Sequence, residues 1–363
     1  MIKENRIQNI EYRSKSWKQA YAKSVSPFGI KCYKIPSGRI LIIGFFILGI
    51  FLSGCGANTK NAKSGLTETQ IEAYKIINDS LNSDNPLIRV NAIEISANTK
   101  QENYLPTIHN MLKDRFVPVR FSAAVAIGEM QYAPALNSIN ELLRDRDPNV
   151  LVAASYAMAR LGHPEYLQVL RESVNSNENQ TIKANSALLL GKIGDKSSIQ
   201  LLRKLMENPD SSDMVSYQAA EALAMLGDTK IYETIWAMLI STFNDVRYTG
   251  VKAMGALGTP QAENALLSML SDPVVEIRVA AAEQLGKMNN KKGKNAVLEV
   301  FQKKLYLSQD MQSRERILTL TSLAIGEIGT KDLTKFLPDL MKNESPLVRL
   351  AAAKAVFTSS LKF

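Results

Sequence analysis

The sequence is poor in the residues that build disulfide frameworks, metal sites and catalytic sites. It has two cysteines, Cys32 and Cys55, and two histidines, His109 and His163, among 363 residues. A disulfide framework needs more cysteines, and a zinc site normally takes three or four Cys or His ligands. Neither histidine belongs to a motif with serine and aspartate. We therefore predict no metal, no cofactor and no catalytic residue, and hence no enzyme.

Strand patterns and glycine-rich phosphate loops are also missing. The glycines lie between helical stretches, and no strand pattern precedes them. A phosphate-binding loop needs glycines between a strand and a helix. This absence argues against nucleotide chemistry, and we predict no small-molecule substrate.

The net charge of +9 is concentrated in the first 39 residues. That stretch has nine Lys or Arg against Glu4 and Glu11, whereas the other 324 residues have 35 basic and 33 acidic side chains. A protein that binds nucleic acid needs a basic face that neutralises several phosphates. A nearly neutral body gives no support for such a face, so we predict no nucleic-acid partner.

An uncharged apolar run at residues 40–52 is too short for a comfortable membrane span. Its 13 residues would reach about 20 Å as a helix, against about 30 Å of hydrocarbon in a bilayer. A short apolar run behind a basic flank, here ending in Arg39, is typical of a signal peptide. The small, polar residues that follow, up to about Gly65, predict a flexible tether.

The end of this run resembles the lipobox of bacterial lipoproteins, in which small residues precede a cysteine. Here the motif is Leu52, Ser53, Gly54 and Cys55. The resemblance implies that diacylglycerol is attached to Cys55 and that the chain is cleaved before it. It places the protein in the bacterial cell envelope, anchored to the periplasmic side of the inner or outer membrane. Two or three acyl chains form a stable anchor, where one is marginal.

From Thr67 onward the sequence repeats. A Val or Ile before a run of small residues recurs nine times, at steps of 31, 31, 32, 33, 31, 31, 40 and 31 residues. We call these the marker residues: Ile88, Val119, Val150, Ile182, Val215, Val246, Ile277, Ile317 and Val348. A fixed period of this size indicates a solenoid, and the step of 40 indicates an insertion.

Positions counted from the marker predict two packed helices in each repeat. Small residues four positions after it would let helices approach closely: Ala92, Ala123, Ala154, Ser186, Ala219, Gly250, Ala281, Thr321 and Ala352. Apolar residues 20 and 24 positions after it lie on one face of a second helix. Glycine between the helices is a helix stop signal. It occurs at Gly162, Gly194, Gly227, Gly258 and Gly329.

This pattern resembles HEAT repeats, in the short form found in bilin-lyase-type HEAT proteins. The clearest copies are "SDPVVEIRVAAAEQLGKM" at 271–288 and "KDRFVPVRFSAAVAIGEM" at 113–130. The resemblance implies an all-α, right-handed α-solenoid of about nine repeats. We therefore divide the chain into a leader at 1–54, a tether at 55–66 and a solenoid at 67–363.

The HEAT consensus also has an arginine directly after the marker. Arginine occupies this position at Arg89, Arg120, Arg247, Arg278 and Arg349, whereas Leu151, Lys183, Ser216 and Leu318 depart from it. An Asp–Arg ladder between repeats is therefore predicted to be interrupted near the middle of the array.

Candidate contact residues come from a mixed column 21 positions after the marker. In HEAT arrays the second helices usually line the concave face, so this column could border a face that binds protein partners. Trp236 is the leading candidate, because large aromatic residues dominate interface hot spots. Packing of Trp236 between neighbouring helices is the other interpretation. The remaining candidates are Arg171, Arg203, Asn140 and His109.

Together these features favour a membrane-anchored scaffold that binds a protein partner. A bilin-lyase-like or other HEAT-fold enzyme is an alternative that fold analogy alone supports. A structural subunit of an envelope assembly is a third, because the last helix would expose Ala351, Ala352, Ala353 and Val356. Solenoid ends normally have a polar cap. This end would therefore pack on the chain itself, on a second copy or on a partner.

Overall fold

The structure, a computed structural model, describes residues 66–175 and 179–360, and within these ranges it contains helices and no strand. The first helices in chain order are α1 Glu68–Leu81, α2 Pro86–Asn98, α3 Leu105–Asn110, α4 Val117–Glu129, α5 Leu136–Leu142, α6 Pro148–Arg160, α7 Leu167–Asn175, α8 Gln180–Ile193, α9 Ile199–Glu207 and α10 Asp213–Met225. They are followed by α11 Tyr232–Leu239, α12 Asn244–Leu257, α13 Pro260–Met269, α14 Val275–Lys287, α15 Lys294–Gln302, α16 Met311–Ile328, α17 Lys331–Thr334, α18 Leu337–Leu340 and α19 Pro346–Ser360. The predicted all-α solenoid is confirmed.

The helices form two layers. The inner layer consists of the nine helices, counted within the described residues, that contain the markers: α2, α4, α6, α8, α10, α12, α14, α16 and α19. Each inner helix packs against the next inner helix, and the outer helices between them pack on the inner helix that follows. Eight of the nine markers, all but the partly buried Ile182, and all the small residues four positions later are buried in this packing, which confirms the predicted close approach.

The helix ends are capped much as the repeat pattern predicts. All five predicted turn glycines have a positive φ, for example 81° at Gly194. A glycine adopts this left-handed conformation without the steric cost that a Cβ would impose. Three repeats have no such glycine, and there Lys100, Gln131 and Asn289 take φ values of 52°, 51° and 61°. The turn geometry is therefore kept where the sequence pattern that predicts it is missing.

An arginine–aspartate ladder joins the corners of successive repeats. Arg247 donates to Asp272 from Nε and Nη2 at 2.8 and 3.1 Å, and its Nη1 donates to the Ser241 carbonyl at 2.9 Å. The same forked contact pairs Arg89 with Asp114 and Arg120 with Asp145. The guanidinium thus ties its own corner to the next one. The ladder stops at Leu151, Lys183 and Ser216, as predicted.

The insertion lies between α15 and α16. It adds residues to the connection and lengthens α16 to 18 residues, whereas the other inner helices have 13 to 15. In this connection Leu307 is half exposed, and Met311 at the start of α16 is 82% exposed.

The two ends of the array meet, so the inner helices form a closed ring. The last inner helix, α19, packs against α1 and α2. The rings of Tyr74 on α1 and Phe357 on α19 lie edge to face with centroids 4.7 Å apart. Ala351, Ala352 and Ala353 of α19 are fully buried. The sequence left open whether the last helix packs on the chain itself, on a second copy or on a partner. The structure shows that it packs on the chain itself.

Candidate functional site: a charged lumen

Closure of the ring gives the inner helices a shared interior, the lumen, and charged side chains point into it. They come from positions six and ten residues after the markers, on the side of each inner helix that faces away from the outer layer. The acidic members are Glu94, Glu129, Glu221, Glu283 and Glu327, and the basic members are Arg160, Lys192, Lys252, Lys287 and Lys354. Burying this many charges is costly unless they are paired.

Six of these charges form three ion pairs, one within an inner helix and two between inner helices. Lys192 on α8 forms an ion pair with Glu129 on α4. Lys252 Nζ lies 3.2 Å from Glu221 Oε1, and Lys287 Nζ lies 2.7 Å from Glu283 Oε1. Burial alone would raise the pKa of Glu283, but Lys287 and Lys354 hold it below its ordinary value. Burial lowers the pKa of Lys354, and the neighbouring Lys287 adds to this effect.

Glu94 on α2 is the exception to this pairing. Neither of its carboxylate oxygens is accessible to water or has a hydrogen-bond partner among the described residues. Burial raises its pKa from 4.5 to about 8, and the nearby Glu129 adds to the rise, whereas Lys192, Lys354 and Lys252 oppose it. The carboxyl group is therefore mostly protonated at pH 7. A buried, neutral carboxyl without partners is a feature of functional sites more often than of inert cores.

The carboxylates of this row recur in the sequence at two positions, six and ten residues after the marker, but the sequence does not show what surrounds them. A column of glutamates on a helix normally indicates a solvated surface. Here ring closure turns that surface inward. The signal that could have indicated a lumen is the balance of acidic and basic residues in corresponding positions of successive inner helices.

The five candidate contact residues lie on the outer helices, away from the lumen. His109 Nε2 lies 2.8 Å from Ser138 Oγ in the next repeat. Arg171 Nε donates to Asp195 at 2.9 Å. Arg203 donates to Asp228 from two nitrogens at 2.7 and 2.6 Å. The two arginines thus form a second ladder between repeats, in the middle of the array where the corner ladder is interrupted.

The other two candidates are Trp236 and Asn140. Trp236 is half-buried and stacks on Tyr232, with ring centroids 6.4 Å apart. Ile240, the residue directly after this helix, is 55% exposed. Tyr232, Trp236 and Ile240 are spaced four residues apart and therefore lie on one side of α11. We call these three residues the α11 stripe. Asn140 is exposed at the outer surface.

The inner helices, and not the outer helices, line the interior of this solenoid. The HEAT resemblance implied a concave face bordered by the second helices. In the closed ring the second helices form the outer surface, because the small residues of the inner helices allow them to pack at the shorter radius. Side chains from α2, α4, α8, α10 and α12 leave a cavity of about 100 Å³ in the lumen. That space does not admit a protein partner.

The predicted lipidation site lies outside the described residues. Leu52, Ser53, Gly54 and Cys55 precede residue 66, where the description starts. Among residues 66–175 and 179–360, no helix has the length and apolarity needed to cross a membrane. In the same ranges, no group of three or more His, Cys, Asp or Glu residues is placed to hold a metal ion.

Comparisons with solved structures find other helical repeat proteins. Human deoxyhypusine hydroxylase in complex with glycerol is 15% identical, over 73% of this chain and 98% of that chain, with a TM-score of 0.36. The complex of CpcE and CpcF of phycocyanin lyase from Nostoc sp. PCC7120 is 16% identical, over 84% and 100% of the two chains, with a TM-score of 0.31. The karyopherin Kap121p bound to the extreme C-terminus of the protein phosphatase Cdc14p is 14% identical, over 80% and 38%, with a TM-score of 0.33. These similarities concern the fold alone.

The comparison with curated proteins finds no match. The family model for HEAT repeats matches four overlapping segments, residues 105–190, 137–224, 176–242 and 232–307. Together these segments run from residue 105 to 307, which is more than half of the 363 residues. The chain belongs to the HEAT-repeat family.

Proposed function

We propose that this protein is a lipid-anchored scaffold that binds a protein partner at a membrane of the bacterial cell envelope, by binding and not by turnover. The observation that carries the proposal is the array of HEAT repeats, because a solenoid presents a long surface built from many repeated contacts. The lumen is closed to a partner of protein size. The outer helices are therefore the binding surface that we propose.

The α11 stripe is the contact site that we propose on this outer surface. Trp236 is partly accessible, and Ile240, the aliphatic member of the stripe, is exposed. Aromatic residues at the centre of an interface contribute most of the binding free energy, and an exposed neighbour excludes water around them. Arg171 and Arg203 are committed to contacts between repeats, so their role in this proposal is to fix the shape of the surface.

The anchor that we propose is lipid on Cys55. The signal-peptide pattern and the lipobox of residues 52–55 support it. The ten residues after Cys55 would span roughly 18 Å as a flexible chain. With α1 starting at Glu68, this tether would hold the ring close to the membrane surface while leaving it free to reorient.

The anchor is tested by mass spectrometry of the native N-terminus and by fractionation. Wild-type protein is expected to carry diacylglycerol on Cys55 and to sediment with membranes. Cys55→Ser is expected to lose both the lipid and the cleavage, and Cys32→Ser is the matched control that should keep both. An unlipidated N-terminus upstream of Cys55 in the wild type would exclude the proposed anchor.

The contact site is tested by crosslinking in intact cells, followed by identification of the crosslinked protein. A partner that binds the α11 stripe should be captured by the wild type and lost with Trp236→Ala or Ile240→Glu. Asn137→Ala, at an exposed outer position of another repeat, serves as the matched control. Equal capture of the same partner by all variants would remove the α11 stripe from the proposal.

A further inference from the structure

The cavity in the lumen contains polar groups whose hydrogen bonds are not satisfied. Ser122 on α4 is 1% exposed, and its Oγ has no partner among the described residues. Both carboxylate oxygens of Glu94 are also buried and have no hydrogen-bond partner among the described residues. Ser122 and Glu94 line one cavity. Leaving buried polar atoms without partners costs free energy, so a site of this kind normally holds a bound group.

The charges around the cavity favour a cation over an anion. Two lysines line it, and each is held by a glutamate that also lines it: Lys192 by Glu129 and Lys252 by Glu221. Glu94 is the lining carboxyl group for which the structure shows no ion pair. An anion would therefore meet three carboxyl groups and two ammonium groups that are already paired. A cation would favour the ionised form of Glu94 and balance the negative charge that this form has.

The donor set distinguishes an organic cation from a metal ion. The described residues contain no cluster of carboxylates or histidines arranged to ligate a metal. Part of the cavity wall is apolar, and it includes Val125, Leu189 and Met225. An apolar wall beside one carboxyl group suits a short hydrocarbon chain that ends in a nitrogen donor. Asn98, exposed at the end of α2, also lines the cavity and provides its outer side.

We propose that the lumen binds a small organic ammonium compound, whose N–H groups donate to the Glu94 carboxylate and to Ser122 Oγ while its hydrocarbon part packs against Val125, Leu189 and Met225. Since both Glu94 oxygens are shielded in the structure, binding includes a rotation of this side chain toward the cavity. The inference is independent of the lipid anchor and of the protein partner.

Binding is coupled to the release of a proton. With a pKa of about 8, Glu94 is mostly protonated at pH 7. When the ammonium group binds, the Glu94 carboxyl loses its proton to the buffer, and the ligand keeps its own charge. About one proton is therefore released per ligand at pH 7, and the affinity rises with pH until about pH 8.

The proposal is tested by titration calorimetry on the full-length chain with n-propylammonium chloride as the probe. Measurements at pH 7 in two buffers with different ionisation enthalpies give the number of protons released. We expect saturable binding with about one proton released. Sodium propionate and 1-propanol, which match the probe in size but lack the positive charge, are expected not to bind.

Variants assign the binding to the cavity. Glu94→Gln keeps the size of the side chain and removes its charge, so we expect about a tenfold or greater loss of affinity and no proton release. Ser122→Ala should lose about threefold, by removal of one neutral hydrogen bond. Glu72→Gln, which makes the same change at an exposed position of α1, should bind like the wild type.

Three results would overturn the proposal. They are the absence of saturable propylammonium binding to the wild type, unchanged affinity in a Glu94→Gln variant with a wild-type circular dichroism spectrum, and equal binding of propionate. The proton count is measured on the wild type, so it remains decisive if a variant does not fold.

Discussion

At the scale of single residues, Glu94 is the side chain that departs furthest from ordinary behaviour. Its shift in pKa has one main cause, the removal of its carboxyl group from water inside the ring. An acidic group whose pKa is raised on folding makes the folded state less stable wherever the unfolded chain would already be ionised. For Glu94 this range runs from its ordinary value of 4.5 to about 8.

Glu94→Gln should therefore change how stability depends on pH. Relative to the wild type, the variant is expected to gain free energy of unfolding as the pH rises from about 4.5 to about 8. The gain should level off above pH 8, at on the order of 5 kcal/mol. Urea unfolding of both proteins at several pH values measures the difference. A difference that does not vary with pH would show that Glu94 is ionised normally in the folded protein.

The arginines of the corner ladder offer a second comparison at this scale. Arg247 and Asp272 are 9% and 7% exposed and form a forked pair. Arg278, one repeat later, makes the corresponding contacts to corner carbonyls, at 2.8 Å from Nη1 to Asp272 O, but the insertion removes the aspartate from the next corner.

Arg247→Leu should consequently be more harmful than Arg278→Leu. Removing Arg247 leaves the Asp272 carboxylate buried without its partner, at a cost of about 3 kcal/mol. Removing Arg278 leaves only neutral backbone carbonyls without their donor, at a cost of about 1 kcal/mol. Chemical denaturation of the two variants measures both values. Equal losses would mean that the carboxylate contributes nothing to the ladder.

At the scale of helices and turns, much of the repeat could be predicted from the sequence. The markers, the small residues and the turn glycines are local patterns with one structural solution each, and the interruption of the corner ladder follows from residues 151, 183 and 216. The left-handed turns at Lys100, Gln131 and Asn289 could not be predicted in this way, because no glycine marks them. Their conformation is imposed by the two helices on either side.

The folded protein should become more stable when glycine replaces the residue in a left-handed turn of this kind. Gln131 is exposed and has a φ of 51°. Gln131→Gly removes a conformational cost of about 1–2 kcal/mol and adds an entropic cost of about 0.5–1 kcal/mol. We expect a net gain of about 0.5–1 kcal/mol, measured by the midpoint of urea unfolding. Gln131→Ala keeps the Cβ and should show no gain. If the glycine variant were the less stable one, Gln131 would be stabilised by contacts of its side chain.

At the scale of the whole molecule, closure of the ring decides what the interior can bind. Closure could not be predicted from the residues that recur at fixed positions in each repeat. Curvature accumulates from small rotations between repeats, and no single position encodes them. The uncovered face of the last helix indicated that something must pack there, and Tyr74 and Phe357 show that the first helix does so. The same closure turns the charged column inward, and it moves the candidate contact residues of the second helices to the outer surface.

The most direct test of this architecture is the distance between the two ends of the chain's folded part. Spin labels at Lys75 on α1 and Ser360 on α19, both exposed, can be placed in a chain in which Cys32 and Cys55 are replaced by serine. Helices in contact have axes about 8–10 Å apart, so a closed ring predicts one narrow distribution below about 30 Å. An open array of nine inner helices would separate its ends by roughly 65–80 Å. A distribution centred at that longer distance would contradict the closed ring and the lumen with it.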